Sequence, residues 1–445
     1  MKTITRRQFA LGMGALIASL PLYRFLQPVQ ANDRRTWLIQ AGYTPGKLVP
    51  PYAPGYHGCP MGGLFIGADK VYSRLLLRDP YEWAKLSARV TVNTSSRPFV
   101  IESNINGLPG NQRITFSPGE TGIKNDDIGI DSLVYGDLAT WRYLVQDGQV
   151  AVSLVNSTLS TSGDDIPIIA SLNRTFFSPG TGVKRFYPVV GELPGDPIEE
   201  WSQYPIFTPA TYSNMRARIW ANTYNQSTTV TFRNNGVDAN QRFDIGAGVT
   251  GDVEDLVNSD SVLPGDRICF MDDLTRVTSG SRSFYIVQMT CRGIARQVGA
   301  FAGVQYPGNL IQGSYYNTAE GTARGWFPSE LNAQGLCRTP FTARNLVVST
   351  SRNTLTGSAT LRLMRNGQPT SLFVVLPPGG VGFFTNLAGV EDFLATDFIA
   401  WKAEVEGSGY LRAPNVGFEM FQPNSLPMPT PACGTDCHDY HKNSP

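Results

Sequence analysis

The chain has 445 residues with 37 Lys+Arg against 36 Asp+Glu, a net charge of +1, and only 16% of its residues are charged. That balance excludes the basic footprint of a general nucleic-acid binder. Hydrophobic residues make up 41%, while Gly (45) and Pro (31) are plentiful, so pervasive disorder is excluded and a large core with frequent turns is expected, in about three domains for this length.

At the N-terminus, Thr5-Arg6-Arg7-Gln8-Phe9 precedes the apolar run Ala10 to Leu20, and the small-residue site Val29-Gln30-Ala31 follows. These are the regions of an export signal, residues 1–31. The apolar run is far short of the roughly 20 residues that span a bilayer, and no later segment qualifies, so no membrane span is expected in the mature chain. The arginine pair resembles a twin-arginine signal. That resemblance implies export of a folded chain beginning near Asn32, to the periplasm, the cell surface or the extracellular space.

The body repeats three times. The turn glycines Gly107, Gly236 and Gly367, each after an asparagine, are followed 15 positions later by Gly122, Gly251 and Gly382. Another 15 positions reach Asp137, Asp266 and Asp397, and four more reach Trp141, Phe270 and Trp401. Gly119, Gly248 and Gly379 complete a Gly-x-x-Gly turn in each copy, and the period is 129 and then 131 residues. Self-similarity at a fixed period is the signature of a repeat architecture.

Ala88-Arg89-Val90-Thr91-Val92, Arg218-Ile219-Trp220, Thr229 to Phe232 and Ala359 to Leu363 alternate apolar with polar residues, which predicts half-buried strands. Asn-Gly turns the chain, because both residues tolerate positive φ. The return strands are Arg113–Phe116, Gln241–Ile245 and Ser371–Val375. Each copy then makes the glycine turn, crosses, and delivers an aspartate at the entry of a further strand. Many short strands with Gly and Pro turns predict an all-β chain of three tandem antiparallel β-sandwich repeats with jelly-roll or Greek-key winding. The fragment Thr360 to Gly367, with Gly379-Gly380-Val381-Gly382-Phe383-Phe384, resembles the repeat of jelly-roll modules in bacterial surface proteins and phage structural proteins. The resemblance implies a display or assembly module. Three copies fit either a closed pseudo-threefold packing or a string of beads.

Turn-rich stretches place the repeats at 32–165, 166–292 and 293–422, with a Pro-rich tail at 423–445. That tail holds Cys433, Cys437, His438 and His441, so two of six cysteines and two of three histidines fall within nine positions. A cysteine pair followed by histidine resembles the c-type haem attachment signature, which implies thioethers at Cys433 and Cys437 and iron on His438. The same four side chains also suit zinc or copper, and a local or interchain disulfide is the bland alternative.

Cys269 and Cys291 flank the turn at Gly280, and a hairpin centred there would pair them in a disulfide. Cys59 and Cys337 remain, and a bridge between them would join the first and third repeats. His57 near Cys59 makes a poor catalytic pair. Asp126-Asp127, Asp164-Asp165 and Asp272-Asp273 offer carboxylates for calcium, although paired aspartates are also ordinary turn formers. No nucleophile elbow, phosphate loop or zinc-protease helix is present. The expectation is an exported, non-enzymatic surface or structural protein that assembles with itself or with another envelope protein, with Trp37, Tyr315 and Tyr316 as exposed contact aromatics. The alternatives are electron transfer through a haem or metal on the tail, and carbohydrate binding on a jelly-roll face.

Overall fold

A computed structural model describes residues 35–42, 56–58, 75–161, 165–170, 181–190, 197–301, 309–319, 326–412 and 415–422. The first repeat contains β1 (Arg35–Gly42), β2 (Tyr56–Gly58), β3 (Leu75–Leu76), β4 (Tyr81–Asn93), β5 (Phe99–Ile105), β6 (Leu108–Phe116), β7 (Gly122–Asn125), β8 (Ile130–Leu133), β9 (Leu138–Leu144) and β10 (Val150–Thr161). The second contains β11 (Asp165–Ala170), β12 (Lys184–Tyr187), β13 (Tyr204–Pro205), β14 (Ala210–Asn222), β15 (Thr228–Asn234), β16 (Val237–Ile245), β17 (Gly251–Val262), β18 (Arg267–Asp273) and β19 (Arg282–Gly293). The third contains β20 (Ala295–Phe301), β21 (Asn309–Leu310), β22 (Gly313–Asn317), β23 (Gly335–Leu336), β24 (Phe341–Thr350), β25 (Ala359–Arg365), β26 (Gln368–Leu376), β27 (Gly382–Phe393), β28 (Phe398–Val405), β29 (Leu411–Arg412) and β30 (Asn415–Phe421).

One sheet in each repeat runs β1-β10-β4-β7, β11-β19-β14-β17 or β20-β30-β24-β27, and the facing sheet runs β2-β9-β5-β6, β12-β18-β15-β16 or β22-β28-β25-β26. Taking the eight main strands of a repeat in chain order, the first with the eighth and the second with the seventh are neighbours, which is jelly-roll winding. The chain is therefore all-β, with three tandem jelly rolls. Trp141, Phe270 and Trp401, equivalent positions in the three copies, are all 0% exposed.

Asn106, Asn235 and Asn366 have φ of 52°, 52° and 53°, and the glycine after each is also left-handed, the conformation a two-residue hairpin demands. In the first repeat the partner of β6 is β5 (Phe99–Ile105), whereas the sequence pattern points to Ala88–Val92, which belongs to β4. The reason is burial: β5 is covered on both faces from Phe99 to Asn104, so it has no polar alternation to reveal it.

The hairpin proposed to join Cys269 to Cys291 is corrected. Cys269 lies on β18 and Cys291 on β19, in facing sheets, and the two buried thiols form no disulfide. Cys337 is free and buried, and Cys59 lies outside the described residues, as do Asp164 and the tail residues Cys433, Cys437, His438 and His441. Trp37 is not an exposed contact aromatic: it is 1% exposed and packs in the core of the third repeat. Tyr315 packs partly buried against that same core.

Core residues also cross the other two boundaries. Ile286 of the second repeat joins the first core, and Val347 of the third joins the second. Polar contacts follow the same cycle. Leu76 N–H donates to Gln288 Oε1 (3.3 Å), and Gln288 Nε2 donates back to the Leu76 carbonyl. Thr208 Oγ1 donates to Glu419 Oε2 (2.8 Å), and Asn156 Nδ2 donates to the Leu336 carbonyl. Asn156, Gln288 and Glu419 all lie on the last strand of their repeats, the first two at equivalent positions and Glu419 two residues further along. The repeats therefore close on themselves in the order first to second, second to third, third to first. β10 and β30 are buried along nearly their whole length because both faces of that strand are covered.

Candidate functional surface

Each repeat folds its Asn-Gly turn onto the aspartate that enters the following strand. Asn106 Nδ2 donates to Asp137 Oδ1 (2.7 Å), the Leu138 N–H donates to Asn106 Oδ1 (3.0 Å), and the Val134 N–H donates to Asp137 Oδ2 (2.8 Å). The same three bonds recur through Asn235 and Asp266 at 2.7, 3.0 and 2.8 Å, and through Asn366 and Asp397 at 2.6, 2.7 and 2.8 Å. The aspartates thus organise a strand-entry turn in every copy. One apolar residue stands out of that turn each time: Val134, Leu263 and Leu394 are 59%, 63% and 62% exposed.

A second device lies on the outer strand of the other sheet, where the ladder bulges. Opposite the bulges, Lys85, Asn214 and Asn345 adopt positive φ, and the register slips between Ser213 and Met215 and between Arg344 and Leu346. Asp126 Oδ1 accepts the N–H groups of Ile128 (3.0 Å) and Gly129 (2.8 Å), while its Oδ2 accepts that of Arg113 on β6 (2.6 Å). Asp255 Oδ1 accepts from Val257 and Asn258, both at 3.1 Å, and its Oδ2 accepts from Arg242 at 2.9 Å. Asn386 Oδ1 accepts from Gly389 (2.7 Å), and its amide donates to the Ser371 and Phe373 carbonyls, both at 3.0 Å. One side chain therefore caps the bulge and ties the open edges of both sheets together, which protects backbone groups that would otherwise invite strand addition.

Burial pushes the carboxyls of Asp126 and Asp255 up, but the hydrogen bonds they accept, joined at Asp126 by the Arg338 charge, hold both below the ordinary range. A carboxylate already filled by N–H donors is poorly placed to hold calcium. Asp127 pairs with Arg338, Asp272 with Arg282, and Asp273 accepts from Thr275 Oγ1 (2.6 Å). Among the described residues, no group of three or more His, Cys, Asp or Glu side chains could hold a metal ion.

At the crest of each bulge stand apolar side chains in solvent: Ile128 is 90% exposed, Val257 92%, and Leu387 56%. Leu256 beside Val257 is 51% exposed, and an open groove of about 420 Å³ runs between β16 and β17, lined by Arg242, Asp244, Leu256 and Val257 among others. The bulges escape a reading of acidic pairs, which singles out Asp126 but passes over Asp255 and Asn386. The signal that finds them is the ruler already read from the glycines, since Asp126, Asp255 and Asn386 stand at the same 129 and 131 spacing.

The ring brings the two devices together. Leu77, Ile206 and Cys337 each donate a backbone N–H to the carbonyl of Asp137, Asp266 or Asp397 (2.9, 2.7 and 2.8 Å). Next along the chain, Arg78 NH1 donates to Tyr135 Oη (3.2 Å) and NH2 pairs with Glu254 of the second repeat (2.6 Å). Arg338, the equivalent residue of the third repeat, reaches Asp127 of the first and donates through Nε to the Lys85 carbonyl (2.9 Å). Between the second and third repeats, the Arg267 guanidinium lies 4.7 Å from the ring centroid of Phe383 on β27. At all three boundaries, the strand-entry turn of one repeat thus meets the bulged strand of the next.

No protein-family model matches the chain, and no curated protein matches it. Among solved structures, it is similar to a chain from work on the triple jelly roll fold and turret assembly in an archaeal virus, at 12% identity and a TM-score of 0.17, covering 87% of this chain and 90% of that one. It is also similar to PNGF-II, at 7% identity and a TM-score of 0.19, covering 79% of this chain and 100% of that one. No helix among the described residues is long and apolar enough to cross a membrane.

Proposed function

We propose that the chain is an exported, non-enzymatic structural protein that acts by assembly or adhesion at a surface. The observation that carries this reading is the threefold recurrence of solvent-exposed apolar side chains on rigidly capped bulges, at Ile128, Val257 and Leu387. Exposed apolar residues scattered singly need no explanation. Here each repeat holds one within two residues of the capping side chain, Ile128 and Val257 at equivalent positions and Leu387 one position earlier in its repeat. The charged groups beside these sites are occupied in structure: Asp126 and Asp255 accept backbone hydrogen bonds, and Arg78 and Arg338 pair across repeat boundaries. An assembly or adhesion role predicts that negative-stain images of protein isolated from its native envelope show ordered arrays, filaments or closed particles. A monodisperse single chain with no retention on its native surface would overturn it.

The second reading rests on the concentration of Cys433, Cys437, His438 and His441 in 23 C-terminal residues. These side chains would hold a c-type haem, or a zinc or copper ion, and the body would then serve as a scaffold. An absorption band of haem in purified protein, lost in Cys437→Ala, supports this reading, and colourless, metal-free protein with both tail cysteines oxidised refutes it.

A further inference from the structure

We infer that the three bulge patches form a docking face for a second copy of this chain, so that two rings meet three patches against three. The inference rests on the assembly reading and names its surface and its partner.

Continuity with the internal boundaries is the first argument. Within one chain, the strand-entry turn of each repeat already lies against the bulged strand of the next, as the Arg78–Glu254 and Arg338–Asp127 pairs and the Arg267–Phe383 contact show. The apolar side chains left in solvent belong to these same two elements: Val134, Leu263 and Leu394 on the turns, and Ile128, Val257 and Leu387 on the bulges. Each covered boundary therefore continues outward into uncovered apolar surface.

The second argument is symmetry. One such patch is small, and a partner that met it alone would bind weakly. A partner that engages all three at once gains from the second and third contacts as intramolecular events. It must carry three matching patches at the same spacing, and this chain is itself such a body.

Charge supplies the third argument. At two of the patches the neighbouring Glu254 and Asp127 are already paired with Arg78 and Arg338 within the chain, so these carboxylates call for no partner of opposite sign. Without Lys2, Arg6, Arg7 and Arg24 of the signal the formal charge is only −3, which leaves little repulsion between copies.

The test is sedimentation velocity on the purified chain over a wide concentration range, comparing wild type with the triple variant Ile128→Glu, Val257→Glu, Leu387→Glu. Because all three side chains stand in solvent, the variant should keep the wild-type far-UV spectrum and melting temperature. The expected result is reversible self-association of the wild type, weakened at least about tenfold in the variant. Val381→Glu serves as a control, since Val381 is 57% exposed on the glycine turn before β27, outside the patches, and it should associate as wild type does. Association that persists in the triple variant, or that the control abolishes equally, overturns this surface while leaving the assembly reading intact. A wild type that stays a single chain at every concentration overturns this inference, whereas the assembly reading falls only if the native-envelope images are also without order.

Discussion

Glu419 is 1% exposed at the boundary between the second and third repeats. Its equivalents in the other repeats, by strand register, are the uncharged Thr158 and Thr290. Burial raises the Glu419 carboxyl above its ordinary 4.5, partly countered by hydrogen bonds from Asn345 and Thr208 and by the Arg344 charge. A carboxyl whose pKa is higher folded than unfolded costs nothing while both states are protonated. The cost grows as pH rises from the ordinary carboxyl range through the raised value, and it is complete above that value. Glu419→Gln should therefore gain in melting temperature relative to wild type as pH is raised from about 4 to 8, and a difference that stays constant across that range refutes the assignment. The Asp272–Arg282 pair presents the opposite case. Both side chains are 1% exposed, and Arg282 also lies 5.2 Å from the ring centre of Tyr224 and 4.9 Å from that of Phe284. Burial raises the Asp272 carboxyl and Arg282 opposes that rise. Removing one partner leaves an uncompensated buried charge, so Asp272→Ala should cost about 3–5 kcal/mol in denaturant unfolding; a loss below about 1 kcal/mol would show that the arginine finds water instead.

At the scale of elements, the unit of construction is a turn or bulge held by a short polar side chain. Asn235→Ala removes two hydrogen bonds to the Asp266 turn and places alanine at a φ of 52°. The expected loss is about 1–3 kcal/mol. Asn235→Gly should lose less, since glycine tolerates the conformation and only the hydrogen bonds are lost; equal losses would show that backbone strain plays no part. These turns were legible in the sequence because Asn-Gly and Gly-x-x-Gly leave fixed marks, and strict alternation on β6, β16 and β26 exposes one face of each strand. The bulges were harder to read, because aspartate in two copies and asparagine in the third perform the same capping. Strands covered on both faces, such as β5 and β10, lose the period of two that betrays a strand. The Cys269–Cys291 pairing failed for a related reason: two strands adjacent in sequence can cross between the sheets of a sandwich instead of forming a hairpin, and local spacing does not distinguish the two. The tail motif lies outside the described residues.

For the whole molecule, the exchange of core residues settles how the repeats behave together. Trp37 of the first repeat is buried in the third core, Ile286 of the second in the first, and Val347 of the third in the second. A string of beads would let each jelly roll unfold alone, with three melting events set by three separate cores. A closed cycle removes that freedom, because melting any one repeat strips an apolar side chain from the core of another and uncovers the last strand of its neighbour. The chain should thus unfold in one calorimetric transition despite its length. Trp37→Ala is the sharpest probe: the residue lies on β1, at the opposite end of the chain from the core it fills, and emptying that site should cost about 3–5 kcal/mol. In a cyclic body the variant's single transition moves down as a whole. Were the repeats independent, one event of three would shift while the other two kept their temperatures, and that outcome would disprove ring closure even with each jelly roll intact.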